Sequence, residues 1–175
     1  MKIGVPSEVK NNEFRVGLTP NSCRAIVGDG HSIFIQNNAG SGIGYTNEDY
    51  IKSGAQILDT AKEVYSAAEL IIKVKEPVES EYQYLRDDLT LFTYLHLAGD
   101  PANARKLIET GVTGIAYETV TADDGSMPLL APMSAIAGQI SIVVGSYHLL
   151  KHNSGKGVLI GSFGDISPRV VTVIG

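Results

Sequence analysis

The chain has 175 residues, 43% apolar and 19% charged, with 19 acidic side chains against 14 basic ones and a formal net charge of -5. That is enough apolar material for a packed core, and the composition is not that of a disordered chain. The acidic balance speaks against general polyanion binding, which depends on Lys and Arg neutralising phosphates, but leaves room for a local basic pocket that takes a small carboxylate. The single cysteine, Cys23, cannot form an intrachain disulfide, and no metal-ligand cluster surrounds it in the sequence. A reducing compartment is the simpler expectation. Met1–Glu8 contains no apolar signal core, and no run approaches the roughly 18 apolar residues of a membrane span. The expectation is a cytoplasmic protein that binds neither nucleic acid, membrane nor metal.

Short apolar runs alternate with amphipathic stretches along the chain. Strands are expected at Lys2–Val5, Ser32–Gln36, Leu70–Val74, Thr90–Thr93, Thr113–Ala116 and Val170–Ile174. Thr19 followed by Pro20 reads as a helix cap and first turn, and that helix carries Cys23, Ile26 and Val27 on one face before stopping near Gly28 or Gly30. Further helices are expected at Thr46–Ser53, Thr60–Ser66, Ser80–Leu85 and Asp100–Thr110, the last with a capping Asp100, Pro101 behind it and Gly111 at its end. Strand, helix and strand joined by short links imply parallel pairing with right-handed crossovers, so the fold class is α/β. Glu118–Pro132 breaks this rhythm as a loop or hairpin. Met133–Leu150 then offers the longest helical pattern, followed by an exposed turn at Lys151–Lys156. The run Val170–Ile174 with Gly175 behind it could open a dinucleotide fold or be an edge strand; one glycine does not decide between them.

In an α/β fold, the loops at strand carboxyl ends converge on the ligand crevice. Arg15, in the polar loop after the first strand, is suited to clamp a carboxylate through paired hydrogen bonds, or is a solvated surface arginine. Lys75 closes the run Lys73-Val74-Lys75 and can reach past the strand end towards a carbonyl or carboxylate, or snorkel from an edge; Lys73 reads as structural. His96 follows a strand in an apolar context and is either a proton-transfer group or a satisfied core histidine. Ser134 offers a hydroxyl to a phosphate or ribose, or caps its helix. Gly40-Ser41-Gly42-Ile43-Gly44 has no phosphate-loop lysine and reads as a turn. A cationic clamp, a second cation and a proton-transfer group at neighbouring strand ends suit a small 2-oxo or 2-amino acid.

Several words of the sequence resemble those of the alanine dehydrogenase family: Lys10–Val16, Lys73–Pro77, Leu91–Ala98, Gly114–Thr119 and Pro128–Ser134, in order and at the separations that family shows. The related nicotinamide nucleotide transhydrogenases share the layout but not the histidine motif or the second lysine. The resemblance implies reversible conversion of L-alanine, NAD and water into pyruvate, ammonium and NADH. It also implies that Arg15 holds the substrate carboxylate, Lys75 binds and polarises the substrate oxygen, His96 moves the proton and Ser134 approaches NAD.

The same resemblance implies residues 1–132 as the first part of a substrate-binding domain that is discontinuous in the family. Residues 133–175 would be an interdomain helix and the first strand of a truncated nucleotide-binding domain. On this reading the fold is a Rossmann-like parallel sheet flanked by helices, the NAD site is incomplete, and the chain associates with like chains while remaining inactive alone. Two alternatives stand beside it, a non-catalytic pyruvate-binding or assembly module and the remnant of an interrupted gene. Ala135 and Gln139 stand where the family usually has Glu and Arg, and Gly161–Ile166 departs from its usual Gly-Gly-Val-Pro-Gly-Val, so the cofactor side is expected to diverge more than the substrate side.

Overall fold

A computed structural model describes Met1–Ile174. Six strands, β1 (Lys2–Val5), β2 (Ser32–Gln36), β3 (Gln56–Leu58), β4 (Leu70–Ile72), β5 (Thr90–Thr93) and β6 (Thr113–Ala116), form one sheet in the order β3-β2-β1-β4-β5-β6. Every pairing is parallel, with Ile3 opposite Ile33 and Leu70, and Leu91 opposite Ile71 and Gly114. Helices α1 (Pro20–Gly28), α2 (Asn47–Lys52), α3 (Ala61–Ala67) and α4 (Pro101–Thr110) connect them.

The helix starts follow from their caps. Thr19 accepts the Ser22 N–H ahead of Pro20, and Asp100 accepts the N–H groups of Ala102 and Asn103 ahead of α4. Thr46 with Asp49, and Thr60 with Glu63, form reciprocal capping boxes. Gly111 ends α4 at φ 72°, a left-handed turn that glycine adopts without a Cβ penalty.

Strand alternation sends side chains to two core clusters. Ile3, Val5, Ile33, Ile35 and Ile72 pack with Cys23 of α1 and Tyr50 of α2. Ile71 and Leu91 pack with Val64 and Tyr65 of α3 and Leu107 of α4. Gly4 permits the second arrangement, because a Cβ there would stand 2.7 Å from Ile71 Cδ1 and 2.9 Å from both Ala68 Cβ and Val64 Cγ1.

Three expectations are corrected. Ser80–Leu85 is not an α-helix but holds a 3-10 turn at Tyr82–Tyr84, because Glu81 turns its side chain inwards and accepts the Val78 N–H. β3 has no counterpart in the sequence reading: three residues are too few to display a period, and its pairing with β2 defines it. Val170–Ile174 forms no strand. Val170 and Ile174 are each 94% exposed, and the pairing found in this stretch of the chain is one antiparallel bridge between Phe163 and Ile166. A strand exists through its neighbours' N–H and C=O groups, and among the described residues this run has no ladder to join. Gly175, the glycine placed after it, lies outside the described residues.

The chain divides into two compact units, Met1–Thr121 and the residues from Ala122 onwards. The second contains α5 (Ala131–Leu149) and a 3-10 turn at Lys151–Asn153. None of the residues of α5 is buried, and Ile136, Ile140, Ile142, Val143 and Val144 are all exposed. No helix among the described residues is long and apolar enough to cross a membrane.

Candidate functional site

Because all six strands run parallel, their carboxyl ends share one edge of the sheet. Connections from β1 proceed outwards to β2 and β3, and those from β4 proceed the other way to β5 and β6, so the chain direction reverses between β1 and β4. Ligands of open α/β sheets bind in the crevice at such a reversal. The segments that leave four neighbouring strands there carry Glu8 and Arg15 after β1, Lys73 and Lys75 after β4, Tyr94 and His96 after β5, and Tyr117 and Glu118 after β6.

Arg15 is half-exposed and is gripped by Glu13, which accepts from Nε at 2.8 Å and from Nη2 at 2.5 Å and also takes the Arg15 main-chain N–H. These hydrogen bonds fix the guanidinium plane and hold the Glu13 carboxyl below its ordinary range. The charge of Lys75 lowers Glu13 as well, so both cations act on one carboxylate. Arg15 also acts on Tyr94, whose hydroxyl is raised by desolvation, with Arg15 opposing that shift and Glu118 adding to it.

Lys73 and Lys75 lie in different surroundings. Lys73 is wholly buried, paired with Glu81 and 4.0 Å from Glu8, while Tyr65 donates its hydroxyl to Glu81 at 3.0 Å. Burial and then Glu81 push the Tyr65 hydroxyl well above its ordinary value. Lys75 lies partly open to solvent. Its N–H points to Glu8 at 3.4 Å, and its C=O accepts from Thr93 Oγ1 at 3.0 Å.

His96 is exposed, which removes the core-histidine alternative. Its φ of 49° is left-handed, a conformation that costs a non-glycine residue roughly 1–2 kcal/mol. Two hydrogen bonds hold it there: its N–H donates to Glu118 Oε1 at 2.6 Å, and its C=O accepts from the Gly99 N–H at 2.9 Å. The imidazole lies nearly parallel to the Tyr94 ring, at 20° with 6.2 Å between centroids, and Tyr94 meets Tyr117 edge-on at 5.0 Å. A cavity of about 360 Å³ opens beside His96, Gly99, Ala116 and Glu118, and one of about 240 Å³ beside Glu8, Arg15, Asn38 and Gly42.

Arg15, Lys75 and His96 therefore stand at the ends of β1, β4 and β5 within the first unit. Ser134 belongs to the second unit, exposed in the first turn of α5; the cap position is Leu130, so Ser134 is not the helix cap. Glu8 and Tyr94 are not singled out as site groups by the sequence, and Glu118 stands out there only by its place after Tyr117 at a strand end. The available signal was position: each lies directly beyond a strand that ends at the shared edge.

Residues 4–137, which include these strand ends, match a family model described as alanine dehydrogenase/PNT, N-terminal domain. The chain belongs to this family. It is 50% identical over all 175 residues to an alanine dehydrogenase of Methanococcus maripaludis, of which it spans 47%. Of a solved L-alanine dehydrogenase it covers 46%, with 96% of this chain superposed at a TM-score of 0.85 and 47% identity. A transhydrogenase of Sinorhizobium meliloti shares the fold, at a TM-score of 0.63 and 24% identity over 67% of this chain. The chain thus spans about half the length of these alanine dehydrogenases.

Among the described residues, the segment after β1 and the one before α5 do not make a dinucleotide cradle. A pyrophosphate is held where a strand passes through a glycine turn into a helix N-terminus. β1 passes instead into Pro6, Ser7 and Glu8, and α5 is preceded by the Pro128–Leu130 segment rather than by a strand.

Proposed function

We propose that this chain provides the substrate-binding part of an NAD-dependent L-alanine dehydrogenase, which interconverts L-alanine, NAD and water with pyruvate, ammonium and NADH. The observation that carries the reading is the placement of Arg15, Lys75 and His96 at the ends of three adjacent strands. Arg15, its plane set by Glu13, takes the substrate carboxylate. Lys75 takes the substrate oxygen and draws electron density from the carbonyl carbon. His96, presented beyond the strand and open to solvent, exchanges the proton that accompanies interconversion of amine and carbonyl. NAD would be the hydride acceptor when bound, and the work assigned to this chain's residues is binding, orientation and proton movement.

In this reading residues 1–132 serve the substrate, α5 links them to nucleotide-binding residues with Ser134 on the cofactor side, and like chains associate in the cytoplasm. The apolar exterior of α5 supports the association, and the lone buried cysteine suits a reducing compartment. Calorimetric titration of the chain with pyruvate tests the site. Arg15→Ala is expected to weaken binding by about a hundredfold, the scale of a lost bidentate charged pair, and His152→Ala to leave it unchanged. Equal binding by wild type and Arg15→Ala would overturn the assignment.

A further inference from the structure

We infer that Glu8 and Glu118 are a matched pair of positioning residues that fix Lys75 and His96 from the flanking strands. This rests on the substrate reading above for what the positioned groups bind. In the order β1-β4-β5-β6, the two segments that bear Lys75 and His96 lie in the middle, and each is held by a carboxylate from its outer neighbour. Glu8, beyond β1, accepts the N–H of Val74 at 2.5 Å and that of Lys75 at 3.4 Å. Glu118, beyond β6, accepts the N–H of Leu95 at 3.2 Å and that of His96 at 2.6 Å. The bonds replace a sheet ladder at the point where the ladder stops: Tyr94 N–H still reaches Val74 C=O at 3.2 Å, and past it the main chain of each segment turns to a carboxylate.

The geometry differs from ordinary packing in two respects. The Glu8 side chain is only 2% exposed, close to Lys73, although Lys73 already has Glu81 as a partner. A second buried carboxylate is not required to neutralise that lysine, but it is required to satisfy the two N–H groups that lead into Lys75. Glu118 holds the residue whose backbone is left-handed, and strained backbone persists where surrounding bonds over-determine it. A carboxylate accepting paired N–H groups is a short-range, charge-assisted hold, stiffer than a neutral acceptor. The carboxylates act on the backbone, so neither needs to touch the substrate.

The test uses the 175-residue chain with Glu118→Gln, Glu118→Ala and Glu8→Gln, measuring amide hydrogen exchange by nuclear magnetic resonance and pyruvate affinity in the same samples. Glu8→Gln keeps the side-chain volume so that the fold survives. Expected in Glu118→Ala is exchange about tenfold or more faster at Leu95 and His96 alone, the scale of one lost charged hydrogen bond, with pyruvate binding about tenfold weaker. Glu118→Gln should recover part of both losses, and Glu8→Gln should act in the same way at Val74 and Lys75. Unchanged exchange at these amides would overturn the inference with or without pyruvate present. Faster exchange with unaltered pyruvate affinity would also overturn it, leaving the carboxylates as structural supports. Failure of the wild-type chain to respond to pyruvate, or an equal response from Arg15→Ala, would count against the substrate reading, while the exchange data would still judge the clamp.

Discussion

The first unit and α5 are both apolar in sequence, yet their residues meet different surroundings. In the first, Ile33, Ile35, Ile71 and Leu91 are all buried between helices and sheet. In α5, Ile140 and Val143 stand open, and none of the helix is buried. α5 forms all the same, because a helix closes its hydrogen bonds within one segment, whereas the equally apolar Val170–Ile174 forms no strand among the described residues. An apolar pattern thus states what a segment is able to bury; whether it becomes a strand depends on a neighbour.

Truncating side chains in both places sharpens that contrast. Leu91→Ala is expected to destabilise the first unit by about 2–5 kcal/mol in urea unfolding, since it empties a closed core. Val143→Ala, on an open helix surface, should lie within about 0.5 kcal/mol of wild type. A large loss from Val143→Ala in the isolated chain would show that α5 is covered in solution.

The cysteine probes the same closure chemically. Cys23 is buried against α2, and desolvation pushes its thiol up to about 11. A thiol reagent at pH 8 is therefore expected to label it only as fast as the first unit unfolds. Rapid labelling of the folded chain would mean that the core over α1 opens.

A smaller effect separates the site from the core. Burial raises the Glu8 carboxyl above its ordinary value of 4.5, against the opposing pull of Lys73 and of the N–H groups of Val74 and Lys75. A carboxyl raised on folding contributes stability that is full below its unfolded value and is lost as pH rises through its folded one. The neutral Glu8→Gln should therefore gain on wild type in melting temperature between pH 4 and pH 7, while binding pyruvate less well. A Glu8→Gln variant less stable at pH 7 than at pH 4, relative to wild type, would reverse the sign.

Most of the first unit was legible because its signals are local. Thr19-Pro20, Thr46, Thr60 and Asp100 announce their helices within four residues, and β1, β2, β5 and β6 coincide with the short runs expected as strands. Lys75 and His96 stand out in the sequence as polar groups past the runs of β4 and β5, and Arg15 as a cation in the polar loop that follows β1. The holds on Lys75 and His96 do not stand out, since Glu8 meets Val74 across 66 positions and Glu118 meets His96 across 22. Only the strand order creates those contacts. Glu81 shows the same limit: its pairing with Lys73 bends a segment whose residues read as helix.

The most direct measurement is an amide-resolved pyruvate titration of the intact chain. The arrangement at the strand ends predicts that shifts concentrate at Arg15, Lys75, Tyr94 and His96, and vanish in Arg15→Ala. Shifts scattered over the surface, or gathered at residues away from the carboxyl ends of β1, β4 and β5, would contradict it.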